Sequence, residues 1–144
     1  MPKPLSIKIG KRVSFNEVDL MGVVWYGVYP RYFEEAAAHL GRKIGFSFRE
    51  FYLENIFAPI VQFHVDYHNP LTMDEEFTIK ASLIWSEAAK IIIEYELIKQ
   101  NGKVAVTGYT LQMFFNNITK EVYLVCPESF EQFRNKWIKG EIEC

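Results

Sequence analysis

The 144-residue chain has little cysteine, little histidine and no sustained apolar run, and each shortage closes off a class of function. Two cysteines, Cys126 and Cys144, cannot build a disulfide framework or a zinc quartet. Cys126 precedes Pro127 with no partner base and reads as a small buried residue. Of the three histidines, His39 falls within a helical pattern and reads as structural, while His64 and His68 share a strand face. Four residues along a strand span roughly 13 Å, too far for one metal, so this pair reads as surface or interface groups. No segment approaches the roughly 20 apolar residues that cross a bilayer, and the opening Met-Pro-Lys-Pro lacks a signal-peptide core. Sixteen basic residues stand against 18 acidic ones, for a net charge of −2 with no basic run, which argues against a nucleic-acid surface. Nor is there a Walker phosphate loop, a Gly-x-Gly-x-x-Gly turn or a Gly-x-Ser-x-Gly elbow; Gly45-Phe-Ser47-Phe-Arg49 lacks the closing glycine. The expectation is a cytoplasmic protein of one domain, residues 1–144, without metal, organic cofactor, membrane span or nucleic-acid partner.

Aromatic residues, by contrast, are plentiful: 16% of the chain, with 12 Phe, 8 Tyr and 3 Trp. They read either as an aromatic-rich core or as the lining of a pocket or subunit interface.

Leu5, Ile7, Ile9, Val13 and Phe15 alternate with polar residues, which predicts a half-buried strand. Asn16 to Gly22 break the pattern. Pro30 suits the first turn of a helix, where its missing N–H has no partner to lose. Tyr29, Tyr32, Phe33, Ala36, Ala37 and Leu40 then form one apolar helical stripe, with Gly41 predicted to end the helix. Ser47 and Glu50 have capping-box spacing, so a short helix is expected to about Glu54.

Five strands are predicted next. Val61, Phe63, Val65 and Tyr67 share a face in the first, which Pro70 follows. Phe77 to Trp85 and Ile91 to Leu97 alternate cleanly, and Asn101-Gly102 is a strong hairpin signal before the fourth. That fourth strand, Val104 to Phe115, is apolar on both faces and reads as a central strand covered on both sides. A short strand, Glu121 to Val125, and a last helix opened by Pro127, with Phe130, Phe133 and Trp137 at helical spacing, complete the chain. The pattern is α+β: a long antiparallel sheet with a helix laid across it.

With other chemistries absent, the carboxylates remain. Asp66 and Asp74-Glu75 fit a strand face and a turn. Glu17 and Asp19 precede the apolar cluster Val23-Val24-Trp25-Tyr26, where partial desolvation raises a carboxylate's basicity. A helix start close by offers N–H groups to a developing anion. On spacing alone, Asp19 is either a working carboxylate or merely the cap of a turn.

Residues Arg12 to Glu34 closely resemble the 4-hydroxybenzoyl-CoA thioesterase family, including its YbgC-like acyl-CoA thioesterases. The resemblance rests on Glu17-Val-Asp19-Leu-Met-Gly22-Val-Val-Trp-Tyr26-Gly-Val-Tyr29 and on a second element, Asp66-Tyr67-His-Asn-Pro70. It implies the hotdog fold, an antiparallel sheet wrapped around a long central helix, and hydrolysis of an acyl-CoA or acyl-carrier thioester. It also implies roles: Asp19 as nucleophile or general base, the backbone N–H of Tyr26 as oxyanion donor, and Gly22, Trp25 and Tyr29 for turn and substrate pocket. A homodimer or homotetramer with sites at subunit interfaces is implied as well. The sequence departs from the family at Leu20-Met21, where small residues are usual, and at Tyr26, where the YbgC-like branch often has His. A hotdog domain that binds acyl thioesters without cleaving them is the alternative.

Overall fold

A computed structural model describes the backbone of residues 1–144 and every side chain except that of Phe48. Its centre is helix α1, Tyr29–Ile44, lying across a five-stranded antiparallel sheet. The strands are β1 (Leu5–Arg12), β3 (Ile60–Tyr67), β4 (Glu76–Ile84), β5 (Lys90–Lys99) and β6 (Val104–Met113), in the order β1-β4-β5-β6-β3. A two-stranded ribbon, β2 (Ile56–Phe57) with β7 (Phe115–Asn116), and two further helices, α2 (Phe48–Leu53) and α3 (Glu128–Ile138), close one end.

The apolar stripe of α1 explains its seat. Tyr29, Tyr32, Phe33, Ala36 and Leu40 are all buried against the sheet. Phe33 stacks on Tyr95 of β5 with ring centroids 4.2 Å apart, and Tyr32 meets Phe77 of β4 at 5.1 Å. Fully burying one such side chain contributes roughly 1.5–3 kcal/mol, so this one face anchors the helix. Phe77, Ile79, Ala81 and Leu83 of β4 and Ile91, Ile93, Tyr95 and Leu97 of β5 supply the facing surface, as their alternation predicts. The Asn101-Gly102 turn is present, with Gly102 in the left-handed region at φ 87°. Phe130, Phe133 and Trp137 of α3 are buried as expected.

Several expectations are corrected. β1 ends at Arg12; Phe15 leaves the alternation in a turn of 3-10 helix, Phe15–Glu17, and lies 80% exposed. The helix does not stop at Gly41. That glycine is buried within α1, where a Cβ would sit 3.0 Å from the Phe46 carbonyl oxygen, and the left-handed stop is Gly45 at φ 79°. Packing against the following loop, not termination, requires Gly41. β6 is an interior strand, between β5 and β3, but it is not covered on both sides: α1 lies on one face only. Its other face carries Tyr109, exposed and stacked on His64. No strand forms at Glu121–Val125 among the described residues; a single bridge joins Val122 to Phe115. No helix of the described residues is long and apolar enough to cross a membrane.

Candidate active site

The segment between β1 and α1 folds back on itself as a small loop stitched to residues 71–75. Val18 bridges Val24, and the Asp19 N–H donates to the Val23 carbonyl at 2.9 Å. Inside this loop the Gly22 N–H donates to the Asp19 carbonyl at 3.0 Å, closing a four-residue turn. The Asp19 carboxylate takes the Met21 N–H on Oδ1 at 2.8 Å, the local bond that suits aspartate to the first position of a turn. Gly22 adopts φ 77°, a left-handed conformation that L side chains avoid at a cost of about 1–2 kcal/mol. Val24 N–H to Leu71 carbonyl (2.8 Å) and Met73 N–H to Gly22 carbonyl (3.2 Å) then fasten the turn to the loop before β4.

The two acids of the segment sit in opposite environments. Glu17 is 4% exposed. Its Oε1 accepts the Ser14 N–H at 2.8 Å and the Tyr32 hydroxyl at 2.9 Å, and Oε2 lies 3.8 Å from Arg31 Nη1. Burial, followed by that bond to the carboxylate, pushes the Tyr32 hydroxyl pKa far above its ordinary value. The Glu17 backbone carbonyl also accepts the Trp25 N–H at 2.9 Å, so this residue ties together the turn, the helix entry and α1. Asp19, in contrast, is exposed, and the desolvation expected from the neighbouring apolar cluster is not found in the single chain. Its turn-capping role is real, yet Oδ2 has no hydrogen-bond partner among the described residues.

Past the turn, one turn of 3-10 helix, Tyr26–Val28, runs directly into α1. Trp25 precedes it in extended backbone with no side-chain cap, and the Tyr26 N–H donates to no group of the described residues. That N–H points from the positive end of a continuous helix. Trp25 is half-exposed; its ring packs on Tyr26 at 5.0 Å and lies over Gly27. Tyr29 is 3% exposed and meets Tyr67 edge-on at 5.3 Å. Burial pushes its hydroxyl up to about 12, with Tyr67 the next cause.

A groove of about 290 Å³ opens here, lined by Val23, Val24, Tyr26 and Tyr29 on one side and by Tyr67, His68, Asn69 and Pro70 on the other. Of the expected site residues, Tyr26 and Tyr29 therefore line the groove. Asp19 and Gly22 form the turn that leads to it, and Trp25 stands at its side, outside the lining. Leu20 and Met21 project into solvent at the tip of the turn. Tyr67 and His68 carry no site signal of their own in the sequence beyond the Asp66–Pro70 element that holds them; His68 Nε2 pairs with Thr107 Oγ1 at 2.8 Å. The arrangement pairs an accessible carboxylate with an unengaged N–H at a helix start, beside an aromatic-walled groove. Those are the parts that acyl transfer needs: a group to deliver an oxygen nucleophile and a donor for the resulting oxyanion.

Comparison with known proteins bears on this geometry. The family model described as "Thioesterase-like superfamily" matches residues 13–133. The gentisyl-coenzyme A thioesterase BH1999 superposes with a TM-score of 0.74 at 27% identity, covering 87% of this chain and 99% of its own. The DHNA-CoA thioesterase of Staphylococcus aureus superposes with a TM-score of 0.79 at 22% identity, over 96% and 97% of the two chains. The S. aureus protein SAV2348, solved in complex with CoA, has a TM-score of 0.79 at 17% identity, over 100% of this chain and 89% of its own.

Proposed function

This chain belongs to the thioesterase-like superfamily, has the hotdog fold and is a thioester hydrolase, and on that premise we propose that it cleaves acyl-coenzyme A thioesters with the Asp19 carboxylate. The observation that supports the reading is that Asp19 and the unengaged N–H of Tyr26 belong to one folded-back segment, tied by Asp19 N–H to Val23 and Trp25 N–H to Glu17. Asp19 either adds through a carboxylate oxygen to the thioester carbonyl carbon or removes a proton from the water that adds there. In both routes the carbonyl oxygen becomes an oxyanion and the Tyr26 N–H donates to it; one such donor typically supplies roughly 3–4 kcal/mol. Collapse breaks the C–S bond and expels the CoA thiolate, a leaving group that departs without strong acid assistance. In the first route water then hydrolyses the mixed anhydride and restores Asp19; in the second Asp19 is restored by passing its proton to the departing thiolate. Gly22 lets the turn adopt its shape, Tyr29 and Tyr26 wall the acyl group, and Trp25 flanks the entry.

Residues 1–144 act as one catalytic domain, in the cytoplasm, and two or four copies assemble. Support for assembly comes from β3, an edge strand with Phe63 and Tyr67 exposed on the face toward α1. Sedimentation velocity is expected to give a dimer or tetramer at micromolar concentration; a monomer refutes this part of the reading.

The decisive experiment measures thiol release from short, long and aromatic acyl-CoAs by wild type and Asp19→Asn. At least one ester is expected to turn over, and the variant to lose at least about a hundredfold in kcat. Unchanged turnover in Asp19→Asn removes this residue from the chemistry. Saturable binding of CoA esters with no thiol release favours a purely binding domain.

A further inference from the structure

At the other end of α1 lies a half-open cavity of about 380 Å³, bounded by the helix, the sheet and the segments that carry α2 and α3. From Tyr29 to Gly41 the helix rises about 18 Å, so this space is separate from the groove beside the Asp19 turn. Its helix wall is made of small residues, Ala37, Ala38 and Gly41, which leave width between α1 and its cover. Ile93 of β5 forms part of the floor, and Phe46 and Phe133 part of the roof. Close-packed interiors leave few voids larger than a water molecule, whereas this volume falls within the roughly 300–1,000 Å³ of small-molecule sites. Walls of alkyl and aromatic carbon give water few partners, so the fitting occupant is apolar over most of its length.

The mouth has the opposite character. Arg42, in the last turn of α1, and Arg49, in α2, line the same cavity. Both are exposed, and neither makes an ion pair among the described residues. Ser47, beside them, already gives its N–H and hydroxyl to Glu50, so the two guanidinium groups are the cationic donors at this opening. Guanidinium pairs bind carboxylates in forked geometry. A half-open apolar pocket with two exposed arginines at its entrance, of which Arg49, after the bonds from Ser47, also helps hold the Glu50 carboxyl below its usual range, matches a molecule with an alkyl tail and one anionic head.

We propose that this cavity is a second ligand site, for a straight-chain fatty acid whose tail lies between α1 and the aromatic roof and whose carboxylate pairs with Arg42 and Arg49. The assignment goes beyond the hydrolytic reading and does not depend on Asp19. It would let the chain hold a fatty acid while its groove is separately engaged.

Titration calorimetry of the full-length protein with dodecanoate tests it. Wild type is expected to bind saturably at one dodecanoate per chain. Ala38→Phe, which fills the chamber from the helix wall, is expected to weaken binding by at least about tenfold. Arg42→Gln/Arg49→Gln changes only exposed side chains and so keeps the fold available should Ala38→Phe not fold. It is expected to weaken dodecanoate about tenfold while leaving the uncharged 1-dodecanol, followed by displacement of a fluorescent fatty-acid probe, unchanged. Wild-type affinity retained in a folded Ala38→Phe or in the double arginine variant overturns the proposal, as does absence of dodecanoate binding in wild type.

Discussion

Glu17 and Asp19 lie two positions apart and are asked for different things. Glu17 is a buried carboxylate whose Oε1 satisfies two donors, the Ser14 N–H and the Tyr32 hydroxyl. Glu17→Gln can keep both donors on its one oxygen, but it removes the charge that strengthens those bonds and turns an NH2 toward Arg31, and weakening such buried bonds costs about 1–3 kcal/mol. The urea midpoint of Glu17→Gln is therefore expected to fall, with kcat reduced because the segment is held less firmly to Tyr32 of α1. Asp19→Asn is the reverse case. Its amide oxygen can still take the Met21 N–H, and the side chain is exposed, so its midpoint is expected to stay within about 0.5 kcal/mol of wild type. Loss of turnover without loss of stability separates a working residue from a supporting one. The turn around Asp19 was legible in the sequence because the two bonds that close it, from the Met21 and Gly22 N–H groups to Asp19, are local. The burial of Glu17 was not, because it depends on Tyr32 and Arg31, one helix away.

Among the elements, the contact of α1 with the sheet has least slack at Gly108 of β6. A Cβ there would lie 2.3 Å from the His64 carbonyl oxygen on β3 and 2.8 Å from the Phe33 ring on α1. Backbone cannot yield as a flexible side chain does, so Gly108→Ala is expected to cost more than about 3 kcal/mol, a loss that denaturant titration resolves directly. Alternation revealed β4 and β5 well, since each has one face on α1 and one in solvent. It misled in β6, where apolar residues on the outer face read as a second covered side. Gly41 misled for a related reason: sequence marks where a glycine stands but not whether it ends a helix or admits a neighbour. The ribbon of β2 and β7 escaped notice because a two-residue strand has no period to detect.

For the whole molecule, the buried tyrosines set the alkaline limit. Burial raises Tyr29 and Tyr95 from 10.0 to about 12, and Tyr32 rises further. In the unfolded chain these phenols ionise near 10, so below that pH their contribution to stability is fully present. As pH climbs from about 10 through 12 the unfolded state releases protons first, and stability drains away. Guanidinium midpoints are thus expected to hold steady up to about pH 9.5 and to fall steeply above 10, with a shallower fall in Tyr95→Phe.

The fastening of the Asp19 turn to residues 71–75 also fixes an order of events. β4, β5 and β6 are joined by short connections and pair with their chain neighbours, as in Phe77 with Lys99. β1 instead pairs with β4 across a long span, Leu5 with Leu83, and the turn that follows β1 has no mooring until Leu71 to Glu75 are in place. Contacts so distant along the chain pay the largest loop-closure entropy and form late. On the ribosome the segment that carries Asp19 is made before its partners and is moored only after the chain has grown past residue 83. On the proposed reading of Asp19, catalytic competence is thereby a property acquired at the end of folding, and any loosening of β1 is expected to remove it while the rest of the sheet still stands.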